Sequence, residues 1–263
     1  MEPIVSAANP KIKRWQKLHT KKGRQAQQAF LIEGRHLVEE ALRAGLTPEA
    51  VIVREGMDRP EPWWDELEQK GVPCYVVPPP LFQRLSATQH PQGVAAVLPY
   101  IRPPQPLKAL LGKPRLTGLV VDEVQDPGNL GTMVRTAEAL GADFLLLGPG
   151  TVDIYNDKVV RASMGSLFRV PVYQGELGDW LEQCQRQGVT VVAAEVQAPV
   201  QLNEVAFPPK VAFLVGNEAR GVSSRLAQNA DVRLAIPMIG AAESLNVAVA
   251  AAILLYERMR QMH

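Results

Sequence analysis

Three polar, glycine-containing segments hold the residue types and spacings that could do chemistry, and each follows an apolar run. In the first, Asp126 to Glu138, the pattern predicts a helix from Leu130 with Asn129 as its cap. Arg135 lies six residues beyond Asn129, less than two turns in, so its guanidinium and the amide can share a cleft as a phosphate or substrate clamp requires. The segment is neither a dinucleotide fingerprint nor a P-loop: Gly128 and Gly131 lack a third glycine at the right offset, and no Gly-Lys-Ser/Thr follows. In the second, Leu214 to Val222, an apolar strand runs into Gly216, Asn217 and Glu218, and a glycine there implies close approach of backbone to something. In the third, Ile236 to Ala248, a strand ends at Pro237 and a loop of small residues follows Met238. Ser244 is placed to cap a final helix, with Leu245 and Asn246 at its start. Taken singly, each segment also reads as a turn and a helix cap.

The elements that must position these residues alternate. Strands are expected at 30–34, 50–53, 74–77 and 93–98, with helices at 36–44, 63–70 and 81–88, and together they make a small α/β domain over residues 30–100. Residues 101–116, with Arg102-Pro103-Pro104-Gln105-Pro106, suit a stiff linker. A second α/β domain is expected over 117–263. Its strands fall at 119–121, 144–147, 170–173, 189–193, 211–215 and 232–236, and its helices at 130–140, 158–167, 179–187, 223–230 and 245–260. Continuous apolar strands separated by helices indicate a mostly parallel sheet covered on both faces, whose ligands bind beyond the carboxyl ends of the strands. The last helix carries Val247, Ala248, Ala250, Ala251, Leu254 and Leu255, apolar nearly all round, and such a helix must be buried.

With 28 Lys+Arg and 27 Asp+Glu among 263 residues, the net charge is +1, which taken whole argues against a nucleic-acid partner. The distribution does not. Lys11, Lys13, Arg14, Lys17, Lys21, Lys22 and Arg24 face one acid within residues 1–30, a net +6. That leaves −5 on the remaining 233 residues. The run reads either as a solvated basic arm over residues 1–29 or as a phosphate-binding arm with Trp15 as a stackable ring. On the second reading, removing residues 1–25 weakens RNA binding and leaves cofactor affinity alone. Two distant cysteines and four scattered histidines offer no metal-ligand spacing and no disulfide framework. No secretory h-region opens the chain, and its longest apolar stretch, Val247 to Tyr256, is too short for a bilayer. A cytoplasmic protein without metal or membrane contact is expected.

Asn-x-Gly-x-x-x-Arg-x-Ala (129–137), Leu-Val-Gly-Asn-Glu-x-x-Gly-Val (214–222) and Ile-Pro-Met-x(4)-Glu-Ser-Leu-Asn-Val-Ala (236–248) together resemble the three motifs of the SpoU/TrmH family, in order and at suitable distances. Phe-Leu-Ile-Glu-Gly (30–34) is similar to the opening strand of that family's substrate-binding domain. The resemblance implies a SPOUT-type parallel sheet with a trefoil knot. It implies an RNA ribose 2′-O-methyltransferase that uses S-adenosyl-L-methionine and forms a homodimer through the knotted domain.

Carried over by motif, Gly216, Ile236 and Leu245 line the adenosine pocket, with Leu214, Asn217, Glu218, Pro237 and Met238 around it. The catalytic set is Arg135, Asn129, Glu218, Ser244 and Asn246. Arg135 also faces RNA. It clamps the neighbouring phosphate and stabilises the developing oxyanion, because a guanidinium rarely serves as a base. The upstream domain favours 23S rRNA. A tRNA substrate, a catalytically silent RNA-binding protein and a nucleotide-dependent oxidoreductase are the competing readings. The last is disfavoured by the missing glycine fingerprint, and the silent form by the intact motif residues.

Overall fold

The computed structural model describes residues 1–57 and 63–262, which divide into two compact units. The first comprises Met1–Ile101 and Asp153–Phe168, and the second Arg102–Val152 and the chain from Arg169 onward.

In the first unit the strands are β1 (Glu2–Pro3), β2 (Ala29–Glu33), β3 (Ala50–Arg54), β4 (Cys74–Val77) and β5 (Val94–Pro99). They make one sheet in the order β1-β4-β3-β5-β2, with β5 antiparallel to both of its neighbours. The basic stretch is folded into this unit. Asn9 caps α1 (Pro10–Gln16) by accepting the Lys11 N–H, with Pro10 at the first helical position. Thr20 caps α2 (Lys21–Gln27) through the Gly23 N–H. At Gly23 a β-carbon would stand 1.9 Å from the Lys17 carbonyl oxygen, so the chain can double back here only on glycine.

Ile12, Trp15 and Leu18 are buried against Ile52, Tyr75 and Phe82 of the sheet core. Trp15 tilts on Tyr75 with ring centroids 5.3 Å apart and is closed to a base. Arg24 is 4% exposed; two of its guanidinium nitrogens donate to Asp153 Oδ2 at 2.9 and 2.6 Å and the third to the Leu18 carbonyl at 2.9 Å. Removing one member of a buried pair strands the other's charge, which costs about 3–5 kcal/mol. Arg24 is therefore corrected from an RNA contact to a core residue. Deleting residues 1–25 would unmake the unit, so it cannot serve as a test of RNA binding.

Beyond α3 (Arg35–Arg43) and α4 (Trp63–Gln69), α5 (Pro79–Gln83) stops well short of the helix expected to Thr88. The Glu33 carboxylate takes over there, accepting the Ser86 hydroxyl at 2.8 Å, the Ala87 N–H at 3.1 Å and the Thr88 hydroxyl at 2.8 Å. Those local bonds compete with helix continuation. The segment from Asp153, with its helix Asp157–Ser163, also belongs to this unit; Tyr155 stacks on Tyr100 at 4.1 Å and bonds the Ile101 backbone.

The second unit begins with a helical turn, α6 (Leu107–Leu110), whose Leu107 and Leu110 join the core with Leu111. There follow β6 (Leu116–Val121), α7 (Pro127–Ala139) and β7 (Phe144–Leu147). After α8, the helix already given at Asp157–Ser163, come β8 (Val172–Gln174), α9 (Leu177–Arg186), β9 (Thr190–Ala194) and β10 (Val200–Gln201). The chain ends with β11 (Lys210–Val215), α10 (Ser224–Gln228), β12 (Val232–Ala235) and α11 (Val247–Met262).

All seven strands are parallel, in the order β10-β12-β9-β11-β6-β7-β8. Every residue of β6 and β7 is buried, as a sheet covered on both sides demands. Leucines of α6, α9 and α10 fill one face, and α7 and α11 pack together on the other. The last strand, β12, enters between β9 and β10, inside an edge laid down by earlier chain. Among the described residues no helix is long and apolar enough to cross a membrane.

Candidate active site

The three motif segments meet beyond the carboxyl ends of β6, β11 and β12. The helix carrying Arg135 starts three residues earlier than expected: Asp126 is its cap, accepting the Asn129 N–H at 2.8 Å, and Pro127 is its first residue. Asn129, expected as the cap, is thereby released for another task. Its Nδ2 donates to Glu218 Oε1 at 3.1 Å, and its Oδ1 accepts from Asn246 Nδ2 at 2.9 Å.

Glu218 also accepts the N–H groups of Asp126 at 3.0 Å and Gln125 at 3.2 Å. Asn246 Oδ1 accepts the Ala248 N–H at 2.9 Å and the Val249 N–H at 3.3 Å, so Asn246 caps the final helix, the place expected for Ser244. One polar chain, Glu218 to Asn129 to Asn246, thus joins the three segments and fixes both amide orientations.

Burial raises the Glu218 carboxyl, but hydrogen bonds from the Asp126 N–H, the Asn129 amide, its own N–H and the Gln125 N–H outweigh that and hold it below its ordinary value. The 217–221 turn that carries Glu218 is closed by two Asn217–Gly221 backbone bonds of 2.9 Å. A β-carbon on Gly216 would stand 2.1 Å from the Gly221 carbonyl carbon and the Val222 nitrogen. The close approach inferred for Gly216 is therefore that of the chain's own turn. Asn217 Nδ2 donates to the Glu123 carbonyl at 2.8 Å, and Arg220 pairs with the Glu123 carboxylate. Glu123 has φ 54°, a left-handed conformation a non-glycine residue rarely keeps unless its surroundings hold it.

A cavity of about 500 Å³ opens beside this network, within the usual range for a small-molecule site. Gly216, Asn217, Glu218, Ile236, Met238 and Leu245, the residues carried over as surrounding the cofactor, line it together with Ser244. Leu214 is instead fully buried in the sheet core behind it, and Pro237 is exposed and off its wall. Sequence reading missed Glu195, at the end of β9, and Arg220 and Arg233. β9 borders the site because it lies beside β11, an adjacency that strand order decides and residue spacing does not reveal. The apolar stretch from Ile236, Met238, Leu245 and Ala250 can hold a purine, and the carboxylates and amides can receive hydroxyl and ammonium groups. The donor set fits S-adenosylmethionine.

Arg135 is exposed and has no hydrogen-bond or ion-pair partner among the described residues, which leaves its guanidinium free for an incoming anion. In the basic stretch, Lys11 pairs with Glu2 and lies 4.8 Å above the Tyr75 ring, and Arg14 pairs with Glu49. Lys13, Lys17, Lys21 and Lys22 have no partner among the described residues.

Every partner of Glu218 is a donor, so Glu218→Gln turns an NH2 group toward a donor and loosens the three-way joint. At least a tenfold loss of S-adenosylhomocysteine affinity at neutral pH is expected by calorimetry. A carboxyl lowered on folding contributes in full above its ordinary value of 4.5 and loses that contribution as pH falls through the lowered one. The wild-type joint should therefore hold down to about pH 5 and weaken below it. Unchanged affinity in the variant would refute the joint's role.

Residues 117–256 match the SpoU rRNA Methylase family, and residues 9–96 the MRM3-like substrate binding domain. The chain is 42% identical over 256 residues to the 23S rRNA (guanosine(2553)-2'-O)-methyltransferase RlmP of Bacillus subtilis (strain 168), covering 97% of this chain and 98% of that protein. The AdoMet-bound rRNA methyltransferase from Sinorhizobium meliloti superposes with a TM-score of 0.89 at 30% identity, over 100% of this chain and 98% of that one. The SpoU methyltransferase AviRb from Streptomyces viridochromogenes, in complex with the cofactor AdoMet, superposes with a TM-score of 0.84 at 29% identity, over 97% and 98%. With the family model matched over residues 117–256 and a relative matched along nearly its whole length, the chain belongs to the SpoU rRNA methylase family.

Proposed function

We propose that this chain methylates the 2′-hydroxyl of a guanosine ribose in 23S rRNA, with S-adenosylmethionine as methyl donor. The observation that carries the reading is the Glu218–Asn129–Asn246 hydrogen-bond chain, which reaches the cavity wall at Glu218. The guanosine and the rRNA follow from the RlmP relative, whose name specifies both and which matches along nearly its whole length. Ribosome-linked chemistry of this kind belongs in the cytoplasm.

S-adenosylmethionine supplies an electrophilic methyl on a sulfonium sulfur. Gly216, Ile236, Met238 and Leu245 would hold it for transfer of that methyl to the ribose oxygen, the CH3–S bond breaking as the O–CH3 bond forms and the hydroxyl proton passing to solvent. The weak nucleophile is the obstacle. Arg135 binds the adjacent phosphate and stabilises charge developing on the ribose oxygen, a task for a fixed cation more than for a base. Asn129 and Asn246, each held at both ends of its amide, and Ser244 on the cavity wall position the reacting groups. Labelled-methyl transfer to total RNA, with the modified ribose mapped, should mark 23S rRNA, and transfer to tRNA alone would defeat the assignment. Arg135→Lys keeps the charge but loses the fork, and kcat should fall by about 100-fold or more with S-adenosylhomocysteine affinity unchanged. Full activity in that variant removes Arg135 from the reaction.

Lys13, Lys17, Lys21 and Lys22 are proposed to contact RNA phosphates. Replacing all four by glutamine leaves Ile12, Trp15 and Leu18 in the core, so the fold is kept. RNA affinity should drop and its dependence on salt should flatten. An unaltered salt slope would show that these lysines do not touch the RNA.

The homodimer is proposed through α11. That helix buries Ala248, Ala251, Leu254 and Leu255 within its own chain, while Val249 and Tyr256 are 48% and 55% exposed. With Ala252, Ile253 and Thr132 of α7 they surround a shallow apolar hollow. Arg135 follows Thr132 by about one turn, so a second copy seated there would come beside the free guanidinium. Light scattering should give twice the chain mass, and Tyr256→Glu should halve it with loss of activity. A wild-type monomer that is fully active would overturn the dimer.

A further inference from the structure

One carboxylate in the cavity wall accepts no hydrogen bond among the described residues and has only a long ion pair for a partner. Glu195 follows β9, with its backbone N–H held by the Leu234 carbonyl at 3.0 Å, and its side chain is 23% exposed. The nearest cation, Arg233, stands 3.8 Å away, beyond hydrogen-bond reach, and is itself half exposed. Among the described residues no donor reaches the Glu195 carboxylate. A half-buried carboxylate at a cavity wall, with its acceptor sites unfilled by the protein, is open to donors on a ligand.

The order of strands says which part of a ligand that is. Across the mouth of the cavity the sequence runs β12, β9, β11, β6. Ile236 and Met238, beyond β12, form an apolar end suited to a purine. At the other side Glu218, beyond β11, is joined to Asn129 of α7, the helix that carries Arg135, and there the methyl must be delivered. Glu195, beyond β9, faces the stretch between. In S-adenosylmethionine, the cofactor of the proposed function on which this inference rests, the ribose joins the adenine to the sulfonium arm. Its vicinal hydroxyls present two donors at a spacing that two carboxylate oxygens can accept, the use to which acidic side chains are put beside other α/β sheets.

We propose that Glu195 accepts hydrogen bonds from the two hydroxyls of the cofactor's ribose and so makes the site selective for a ribonucleoside cofactor. It is a binding residue, remote from the transferred methyl.

The test is calorimetric binding to the full chain of S-adenosylhomocysteine, of its 2′-deoxy and 3′-deoxy analogues, and of the analogue without the α-amino group. S-adenosylhomocysteine lacks the sulfonium charge, so any loss cannot come from charge attraction to that atom. Wild type should bind it about tenfold or more above either deoxy analogue, the worth of a hydrogen bond to a charged acceptor. Glu195→Ala should lose that tenfold for S-adenosylhomocysteine and bind the deoxy analogues as wild type does, which also shows the cavity intact. Glu195→Gln, which keeps one acceptor oxygen and the side-chain volume, should fall between. Should the alanine variant not fold, the glutamine variant reads the same comparison. Undiminished discrimination in the variants overturns the proposal, as does a loss confined to the comparison with the amino-free analogue, which would assign Glu195 to the ammonium. Wild type that binds none of these ligands would refute the cofactor reading itself.

Discussion

Everything at the site depends on one carboxylate being surrounded by donors. Glu218 accepts from two backbone N–H groups at the start of α7 and from the Asn129 amide, and Asn129 passes the constraint to Asn246. Three loops far apart in sequence are thereby held as one body. Loops at strand ends are ordinarily the least constrained part of an α/β sheet. A methyl transfer that needs in-line geometry cannot tolerate that freedom, since small misplacements cost large factors in rate. Asn246 serves twice, because the oxygen opposite its donated amide caps α11. The helix that packs on α7 is therefore anchored at the residue that completes the polar chain.

Much of this was legible. β6, β7 and β11 are plain as unbroken apolar runs, and the family resemblance named Asn129, Glu218 and Asn246 within a set that also held Arg135 and Ser244. The caps were not. Asp126, Asn129, Ser244 and Asn246 are all residue types that cap helices, and propensity cannot choose among neighbours that share it. The choice was made by tertiary structure: Glu218 draws the Asn129 side chain away from its own helix, and Asp126 fills the vacancy. Gly216 was rightly read as a point of close approach, but only the folded turn shows that its neighbour is Gly221. Glu195 carried no local signal, because its place beside the site comes from strand order.

The basic stretch shows how a dominant pattern can hide a second one. Seven cations within residues 1–30 suggested a solvated arm, yet Ile12, Trp15 and Leu18 recur every three residues through the same run. That stripe is the helical core signal, and it outweighs the charge, since the cations can point outward while their neighbours fill the sheet face. Folding then sorts the cations by position. Arg24 becomes a core ion pair, Lys11 and Arg14 take surface partners, and the lysines at 13, 17, 21 and 22 keep their charge uncompensated. A partner attracted to this region would meet a fixed surface rather than a flexible tail, with less ordering entropy to lose on binding.

The last helix joins the remaining strands of reasoning. An α-helix apolar on every side has to be covered on every side, and one chain supplies cover for the face that meets α7, β6 and β11. The sequence pattern implied burial all round, and the family resemblance implied a second copy of the chain as part of the cover. Val249 and Tyr256 remain open on the outer face. The strand that precedes the helix, β12, lies between β9 and β10, inside an edge laid down by earlier chain. Packing of the final helix on α7, β11 and β6 leaves it little freedom to turn its outer face inward. The apolar surplus on α11 thus stays on the outer face, beside Thr132 of α7 and one helical turn from Arg135.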